Sequence, residues 1–161
     1  YAKAVQAIKE ADIVMVGPGD LYTSIIPNLL VKGIPEALQK TKARKVYVCN
    51  LMTKYGETNR STASMHLKEV QKYAGCTMDY VVLNDKVPSK ALLNRYHKEH
   101  SFLVENDVPE IKKISVKPIR ANLLKEPSAA KGQLHLFKET SFVRHDPGKL
   151  AKVIIGLLAE Q

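Results

Sequence analysis

The sequence predicts an α/β fold in which a parallel β-sheet is covered by helices on both faces. Short apolar runs alternate with segments of helical periodicity over most of the 161 residues. The spacing from one run to the next is roughly 30 residues, as strand–helix–strand crossover units require. Two of the runs, at 13–16 and 45–50, also lead into polar loops, which is typical of the carboxyl edge of such a sheet.

The first part of the chain supplies two strands and the helices that flank them. Residues 1–11 have helical spacing and lead into the strand at 13–16. A helix-like stretch at 21–31 is interrupted by Pro27, and a short helix at 34–41 follows. The next elements are, in order, a strand at 45–50, a helix from Ser61 or Thr62 to Ala74, a strand at 79–83, and a helix from Lys90 to about His100 that Ser89 caps.

Beyond this helix the alternation is less regular. Apolar residues within 111–119 predict a short strand that is approached by a loop. Residues 125–131 are expected to form a flexible connection, and 134–137 a further strand. A final helix is expected at 147–159, with proline in its first turn.

The composition limits the classes of function. The formal net charge of +9 is typical of proteins that bind nucleic acid or small anions. The cations are scattered, without an arginine-rich run or zinc-finger spacing, so they favour a solvated surface over a binding role. A nucleic-acid-binding module is the disfavoured alternative. Cys49 and Cys76 form no metal-binding pattern and are expected to be reduced and buried, which favours a cytoplasmic location. No apolar run reaches membrane-spanning length, so no membrane partner is expected.

The loop after the first strand is the first candidate binding element. Gly17 and Gly19 allow the backbone to approach a ligand closely. Asp20 disfavours a bare phosphate through like-charge repulsion, but it can cap a helix, accept a ribose hydroxyl or bind magnesium. A purely structural turn is the alternative interpretation.

The loop after the second strand is the second candidate. Asn50, Thr53, Glu57 and Thr58 offer an amide, two hydroxyls and a carboxylate, which suit recognition of hydroxyls, amides and phosphate oxygens. A polar surface loop without a ligand is the alternative. Because neighbouring parallel strands end at the same edge, both loops are predicted to border one ligand crevice.

Two later segments extend this prediction. Tyr96, on a predicted helix, can stack on a base, or it can simply belong to the exposed side of that helix. Arg144 can clamp an anion or form a structural ion pair, and Asp146 is expected to cap the final helix. Catalytic-triad, phosphate-loop and zinc-protease motifs are absent. The residues therefore favour a protein that binds an anionic ligand over any named reaction.

Four stretches of the sequence carry a family resemblance. They are GPGDLYTSIIPNLL at 17–30, VCNLMT at 48–53, GET at 56–58 and RHDP at 144–147. These motifs resemble the CofD-like proteins, and more narrowly the branch of bacterial gluconeogenesis factors. The resemblance implies a Rossmann-like sheet with a nucleotide or nucleotide-sugar in the crevice. It also implies that 1–161 is the C-terminal part of a single domain, incomplete because an N-terminal portion with a glycine-rich loop is missing.

The resemblance implies a function as well. The gluconeogenesis-factor branch resembles cytoplasmic regulators of carbon metabolism, cell wall and cell shape that bind UDP-sugars. The alternative is a 2-phospho-L-lactate transferase-like enzyme of coenzyme F420 biosynthesis, which would need magnesium; no other cofactor is implied. The implied partners are a UDP-sugar and the missing N-terminal half. An isolated fragment is also expected to self-associate, which allows a homodimer.

The family pattern assigns roles position by position. The resemblance implies that the phosphate or sugar end is lined by Gly17, Gly19, Thr23 and Ser24. It implies that the nucleotide is bordered by Asn50, Thr53, Glu57 and Thr58. By the same resemblance Tyr96 would stack on uracil and Arg144 would contact the phosphates. The positions that depart from the pattern are Asp20, Lys54, Tyr55, Asn59, Arg60, Ser61 and Met65. Asp20 adds negative charge beside the phosphate site, and Arg60 is expected to offset it. The altered second loop then selects a different ligand or has lost one.

Overall fold

The structure, a computed structural model, describes residues 1–125 and 143–159. The secondary-structure elements are, in chain order, α1 (Ala2–Glu10), β1 (Ile13–Val16), a π-helical segment (Leu21–Ile25), α2 (Ile26–Leu29), α3 (Ile34–Lys40), β2 (Arg44–Val48), α4 (Ala63–Ala74), β3 (Tyr80–Asn84), α5 (Lys90–Lys98), α6 (Val108–Lys113), β4 (Lys117–Ala121) and α7 (Pro147–Ala159). The predicted alternation of strands and helices is therefore confirmed.

The four strands form one parallel sheet in the order β1-β2-β3-β4. Each strand pairs with the next one in sequence, so each connection crosses over the sheet and returns to its amino edge. All four strands consequently end at the same edge. The loops that follow them lie there side by side, and this edge carries the residues considered below.

Helices cover both faces of the sheet, as predicted. Alternate residues of a strand point to opposite faces, so Tyr47 packs with α4 residues such as Leu67 on one face. Val46 and Val48 face the other way and pack with Leu150 of α7. The first face is covered by α2, α3, α4 and α6, and the second by α7. Burial of these apolar side chains is the main force that holds the helices against the sheet.

The predicted helix ends agree with the structure. The Ser89 hydroxyl accepts a hydrogen bond from the Leu92 amide at 3.4 Å, and Thr62 caps α4 in the same way. The Asp146 carboxylate accepts from the Lys149 amide at 2.9 Å, which caps α7. Gly75 ends α4 in the left-handed conformation, at φ 66°. These caps depend on neighbouring residues alone, so local sequence predicts them.

The segment before β4 differs from the prediction. A strand was predicted within 111–119 after a loop, whereas the structure has helix α6 at Val108–Lys113 and a strand only from Lys117. Asp107 and Pro109 supply a helix start, and Ile111 is fully buried against the first face of the sheet. A six-residue helix shows too little periodicity to be recognised. The expected strand at 134–137 and most of the expected connection at 125–131 lie outside the described residues.

Across the part of the chain that is described, no helix combines the length and apolar character needed to cross a bilayer. Both cysteines are free thiols, as predicted. Cys49 is buried, but Cys76 is only half-buried, because it follows the exposed end of α4.

Candidate functional site

The first loop turns sharply where β1 ends. Gly17 has φ +83°, and a Cβ atom there would lie 3.0 Å from the Val48 carbonyl oxygen in β2. Only glycine accommodates both the left-handed backbone and this close approach. The turn directs Gly19 towards the neighbouring strand end, where its amide donates to the Asn50 side-chain oxygen at 3.4 Å. The first and second loops therefore meet, as the sequence predicted.

A cluster of charges joins the two loops a second time. The Lys54 ammonium lies 2.6 Å from the Asp20 carboxylate and 2.8 Å from the Glu57 carboxylate. Hydrogen bonds to Asp20 and then Glu57 raise the pKa of Lys54. Lys54, not Arg60, therefore offsets the charge of Asp20. The expectation that Arg60 offsets the charge of Asp20 was wrong. The positions of Lys54 and Arg60 in the sequence do not show which of the two side chains the second loop directs towards the first loop.

The segment 143–146 reaches the same edge from the far end of the chain. It pairs antiparallel with 123–125, through a bridge between Leu124 and His145. The Asp146 amide donates to the Leu123 carbonyl at 2.7 Å, and the Lys125 amide donates to the Arg144 carbonyl at 3.0 Å. Arg144 itself is exposed. This pairing carries the basic residues of the segment to the end of the sheet.

His145 is a site residue to which the sequence analysis assigned no role. Burial lowers the pKa of its imidazole, while a hydrogen bond with the Cys49 backbone opposes that shift. Its Nε2 atom is buried and has no hydrogen-bond partner among the described residues. The imidazole at the end of β2 therefore keeps one buried ring nitrogen whose hydrogen-bonding capacity is unused within the described residues. Its place inside the RHDP motif was the available signal.

Tyr96 lies under this segment and is 8% exposed. Its ring packs with Leu51 and Val143, and its hydroxyl accepts a hydrogen bond from the Val143 amide at 3.0 Å. In this structure Tyr96 holds the backbone next to Arg144. This contact links a helix residue to the segment 47 positions later.

The two threonines of the second loop are buried and bonded within the protein. Thr53 accepts from the Phe102 amide at 2.9 Å, and Thr58 accepts from the Lys54 amide at 2.9 Å. Both side chains are less than 5% exposed. Thr23 and Ser24, in contrast, are exposed on the π-helical segment after the first loop. The structure thus groups Gly17, Gly19, Asp20, Asn50 and Glu57 most directly, with Thr53 and Thr58 shaping the loop from beneath.

Within 1–125 and 143–159, the residues do not by themselves fit a magnesium site. The described residues contain no cluster of three histidine, cysteine or acidic side chains that could hold a metal ion. Asp20, the carboxylate considered as a magnesium ligand, already shares the Lys54 ammonium with Glu57. Nor do the cysteines offer a nucleophile, because burial raises the pKa of the Cys49 thiol to about 12 and also raises that of Cys76.

Comparisons with known proteins agree with the sequence motifs. The family model described as 2-phospho-L-lactate transferase CofD matches residues 1–124. The gluconeogenesis factor of Bacillus subtilis is 36% identical over 159 residues, which cover 98% of this chain and 46% of that protein. A Thermotoga maritima protein given the same name provisionally is 42% identical over 153 residues, 94% of this chain and 46% of its own length.

A solved structure resembles the fold equally well. The crystal structure of a UPF0052 family member from Bacillus halodurans superposes with a TM-score of 0.84 at 34% identity, covering 96% of this chain and 46% of that one. This likeness agrees with a Rossmann-like α/β fold. The chain spans about half the length of these relatives. The chain therefore belongs to the CofD family, alongside proteins named gluconeogenesis factors.

Proposed function

We propose that this chain forms part of a cytoplasmic regulator of carbon metabolism, cell wall and cell shape that binds a nucleotide-sugar such as a UDP-sugar. The observation that carries the proposal is the convergence of three distant segments at one sheet edge. Gly19 contacts Asn50, and His145 contacts the Cys49 backbone from the other side. Parallel α/β sheets bind ligands outside the carboxyl ends of their strands.

The chemistry of this edge suits a ligand with both hydroxyls and phosphates. Glycine backbone amides and the Asn50 side-chain amide recognise hydroxyls and carbonyls, and the Arg144 guanidinium suits phosphate oxygens. Asp20 would repel a phosphate, but the Lys54 ammonium at 2.6 Å neutralises it. In this proposal Thr23 and Ser24 border the phosphate or sugar end, while Thr53 and Thr58 set the shape of the second loop. Tyr96 acts by positioning Arg144.

Calorimetric titration of the full-length protein with UDP-N-acetylglucosamine tests this proposal. Replacing Arg144 with alanine should weaken binding by about 1.5–3 kcal/mol if the guanidinium contacts phosphate. Lys113→Ala is the matched control, because Lys113 is 68% exposed and lies in the helix that leads into the opposite end of β4. An absence of binding by the unaltered protein at millimolar ligand would refute the proposed function.

We also propose that the chain is the C-terminal part of one CofD-like domain and that an N-terminal portion pairs along β1. Among the described residues β1 pairs only with β2, and Met15 is 47% exposed. A concavity of about 360 Å³ wraps this open edge, lined by apolar residues such as Val14, Leu29 and Leu38. The relatives are about twice as long, which leaves enough chain to add a strand and cover the groove.

Size-exclusion chromatography with light scattering separates the occupants of this edge. The chain alone should self-associate, and co-expression with the preceding portion of the full-length protein should give a complex with one copy of each. A homodimer that persists in the full-length protein would assign the β1 edge to a second copy. A monomeric, stable isolated chain would contradict the proposal.

An enzyme related to 2-phospho-L-lactate transferase is the second candidate function, since the matching family model carries that description. Such an enzyme would transfer a phospholactyl group to a deazaflavin acceptor in coenzyme F420 biosynthesis. Magnesium-dependent product formation with that acceptor would favour the enzyme. UDP-sugar binding without turnover would favour the regulator.

A further inference from the structure

A second concavity lies at the outer end of the second loop. Its volume is about 230 Å³, and it is lined by Tyr55, Asn59, Arg60, His100 and Phe102. We call it the outer pocket. The first three of these residues belong to the stretch in which this sequence departs from the pattern of the family it resembles.

Aromatic rings form its walls. The Tyr55 and His100 rings lie with centroids 5.1 Å apart and planes at 39°, and His97 and Phe102 form a similar pair at 5.0 Å. Tyr55 is 63% exposed and Phe102 is 39% exposed. Large aromatic side chains held at the surface in pairs offer π-faces on which a planar ring can stack.

Arg60 supplies positive charge at the rim. It is exposed, and the structure records no hydrogen bond or ion pair for it within residues 1–125 and 143–159. Lys54 differs, because two carboxylates already share its ammonium. The guanidinium of Arg60 is therefore the cation of this loop that suits a ligand's phosphate or other anionic group.

The backbone at the outer pocket is strained. Three non-glycine residues in the described chain have positive φ, and two of them, Arg60 at 53° and His100 at 54°, line this pocket. The left-handed region disfavours residues that carry a Cβ atom, and such residues gather at ligand sites. Both strained residues place a polar side chain at the same concavity.

The outer pocket is attached to the crevice at the sheet edge. Lys54, bonded to Asp20 of the first loop, is the residue immediately before Tyr55. Thr53 pairs with Phe102 through two hydrogen bonds, of 2.7 and 2.9 Å. The second loop therefore contacts the first loop through Lys54 and carries the aromatic residue Tyr55 at the next position.

The size of the pocket indicates which part of a ligand it holds. Complete small-molecule sites usually occupy about 300–1,000 Å³, so about 230 Å³ suits one ring system better than a whole nucleotide-sugar. Tyr96, the other aromatic candidate for base stacking, is 8% exposed and holds Val143. We infer that the outer pocket receives the planar base of the nucleotide ligand, with Tyr55 stacking on it and Arg60 contacting its anionic part. This inference rests on the proposed function and assigns its base subsite.

Calorimetry on the intact protein with UDP-N-acetylglucosamine and with inorganic pyrophosphate, which lacks a base, tests the inference. Tyr55→Ala should lower the affinity for UDP-N-acetylglucosamine roughly 5- to 150-fold, the range expected for loss of one base–aromatic stack. It should leave the affinity for pyrophosphate unchanged. Arg60→Ala should also lower the affinity for UDP-N-acetylglucosamine. Arg60→Lys should restore only part of this loss, because the lysine ammonium lacks the planar, paired N–H donors of a guanidinium. Tyr1→Ala, at an exposed tyrosine that immediately precedes α1, is the control and should change neither affinity.

The outcomes separate this inference from the proposed function. Suppose that the unaltered protein binds the nucleotide-sugar and that the affinities of Tyr55→Ala and Arg60→Ala both lie within about twofold of its affinity. The outer pocket is then not the base subsite, while the proposed function stands. If the unaltered protein binds no nucleotide, the proposed function fails and the inference fails with it. Equal weakening of pyrophosphate by Tyr55→Ala would also overturn the inference, since that ligand has no base. Thermal melting of each variant confirms that the exposed substitutions leave the fold intact.

Discussion

Replacing Tyr96 with phenylalanine removes one oxygen atom and should destabilise the protein measurably. The hydroxyl accepts the Val143 amide at 3.0 Å, and both residues are less than 10% exposed. Phenylalanine would keep the apolar packing but leave a buried N–H without this acceptor. An unsatisfied buried donor costs about 1–3 kcal/mol. That is a large fraction of the roughly 5–15 kcal/mol that stabilises a typical domain.

Urea denaturation at neutral pH measures this loss. With a slope of about 1–3 kcal/mol per molar urea, a loss of 2 kcal/mol lowers the midpoint by roughly 1 M. Tyr22→Phe is the matched control, because its hydroxyl donates to Glu69 at 3.4 Å on the exposed surface. That change should stay within about 0.5 kcal/mol. Equal midpoints for the two variants would refute the assigned role of Tyr96. Because the bond to Val143 positions the neighbouring Arg144, Tyr96→Phe should also lower the affinity for the nucleotide-sugar.

Three further predictions concern single positions. Gly17→Ala should lower the free energy of unfolding by about 1–3 kcal/mol, measured in urea, because its Cβ atom would lie 3.0 Å from the Val48 carbonyl oxygen. Gly56→Ala is the control: its Cβ atom would have no neighbour within 4 Å, so it should cost only the smaller free energy of placing alanine in the left-handed conformation. Burial lowers the folded pKa of His66 below its ordinary 6.5, so the unfolded chain binds more protons below that pH. Stability should therefore fall as the pH drops from about 6.5 towards the lowered pKa, and urea midpoints of His66→Leu should fall less steeply. Arg60→Gly should change the free energy of unfolding by less than about 0.5 kcal/mol, because glycine relieves the left-handed conformation but has greater chain entropy when unfolded. Calorimetry should nevertheless show at least a roughly fivefold loss of affinity for UDP-N-acetylglucosamine. Unchanged affinity would argue against a ligand role for Arg60.

Elements defined by neighbouring residues could be predicted closely. The strand at 13–16, the end of α4 at Gly75 and the cap of α7 by Asp146 all depend on residues within a few positions of one another. The parallel order of the sheet also followed from the crossover spacing. Helix α6 was missed because its single buried isoleucine, Ile111, gives no period to detect.

Which loops would meet at the sheet edge was predictable, but the side-chain contacts between them were not. The end of each parallel strand indicated which loops would meet, and Gly19 and Asn50 do meet. The partner of Asp20 was assigned to Arg60, whereas Lys54 holds it. The geometry of a loop of irregular conformation depends on backbone angles that the side-chain pattern does not encode.

The sequence by itself determined the α/β class, the carboxyl edge as the place of the loops and the family, because periodicity, spacing and motifs are local properties of the chain. Only the tertiary structure decided that Tyr96 supports Val143 from inside, that His145 lies on the Cys49 backbone, and that Tyr55, Arg60 and His100 share one pocket. Each of these arrangements brings together residues about 40 to 100 positions apart, such as Cys49 with His145 and Arg60 with His100. Burial and hydrogen bonding at such separations depend on how whole elements pack, and no window of sequence contains that information.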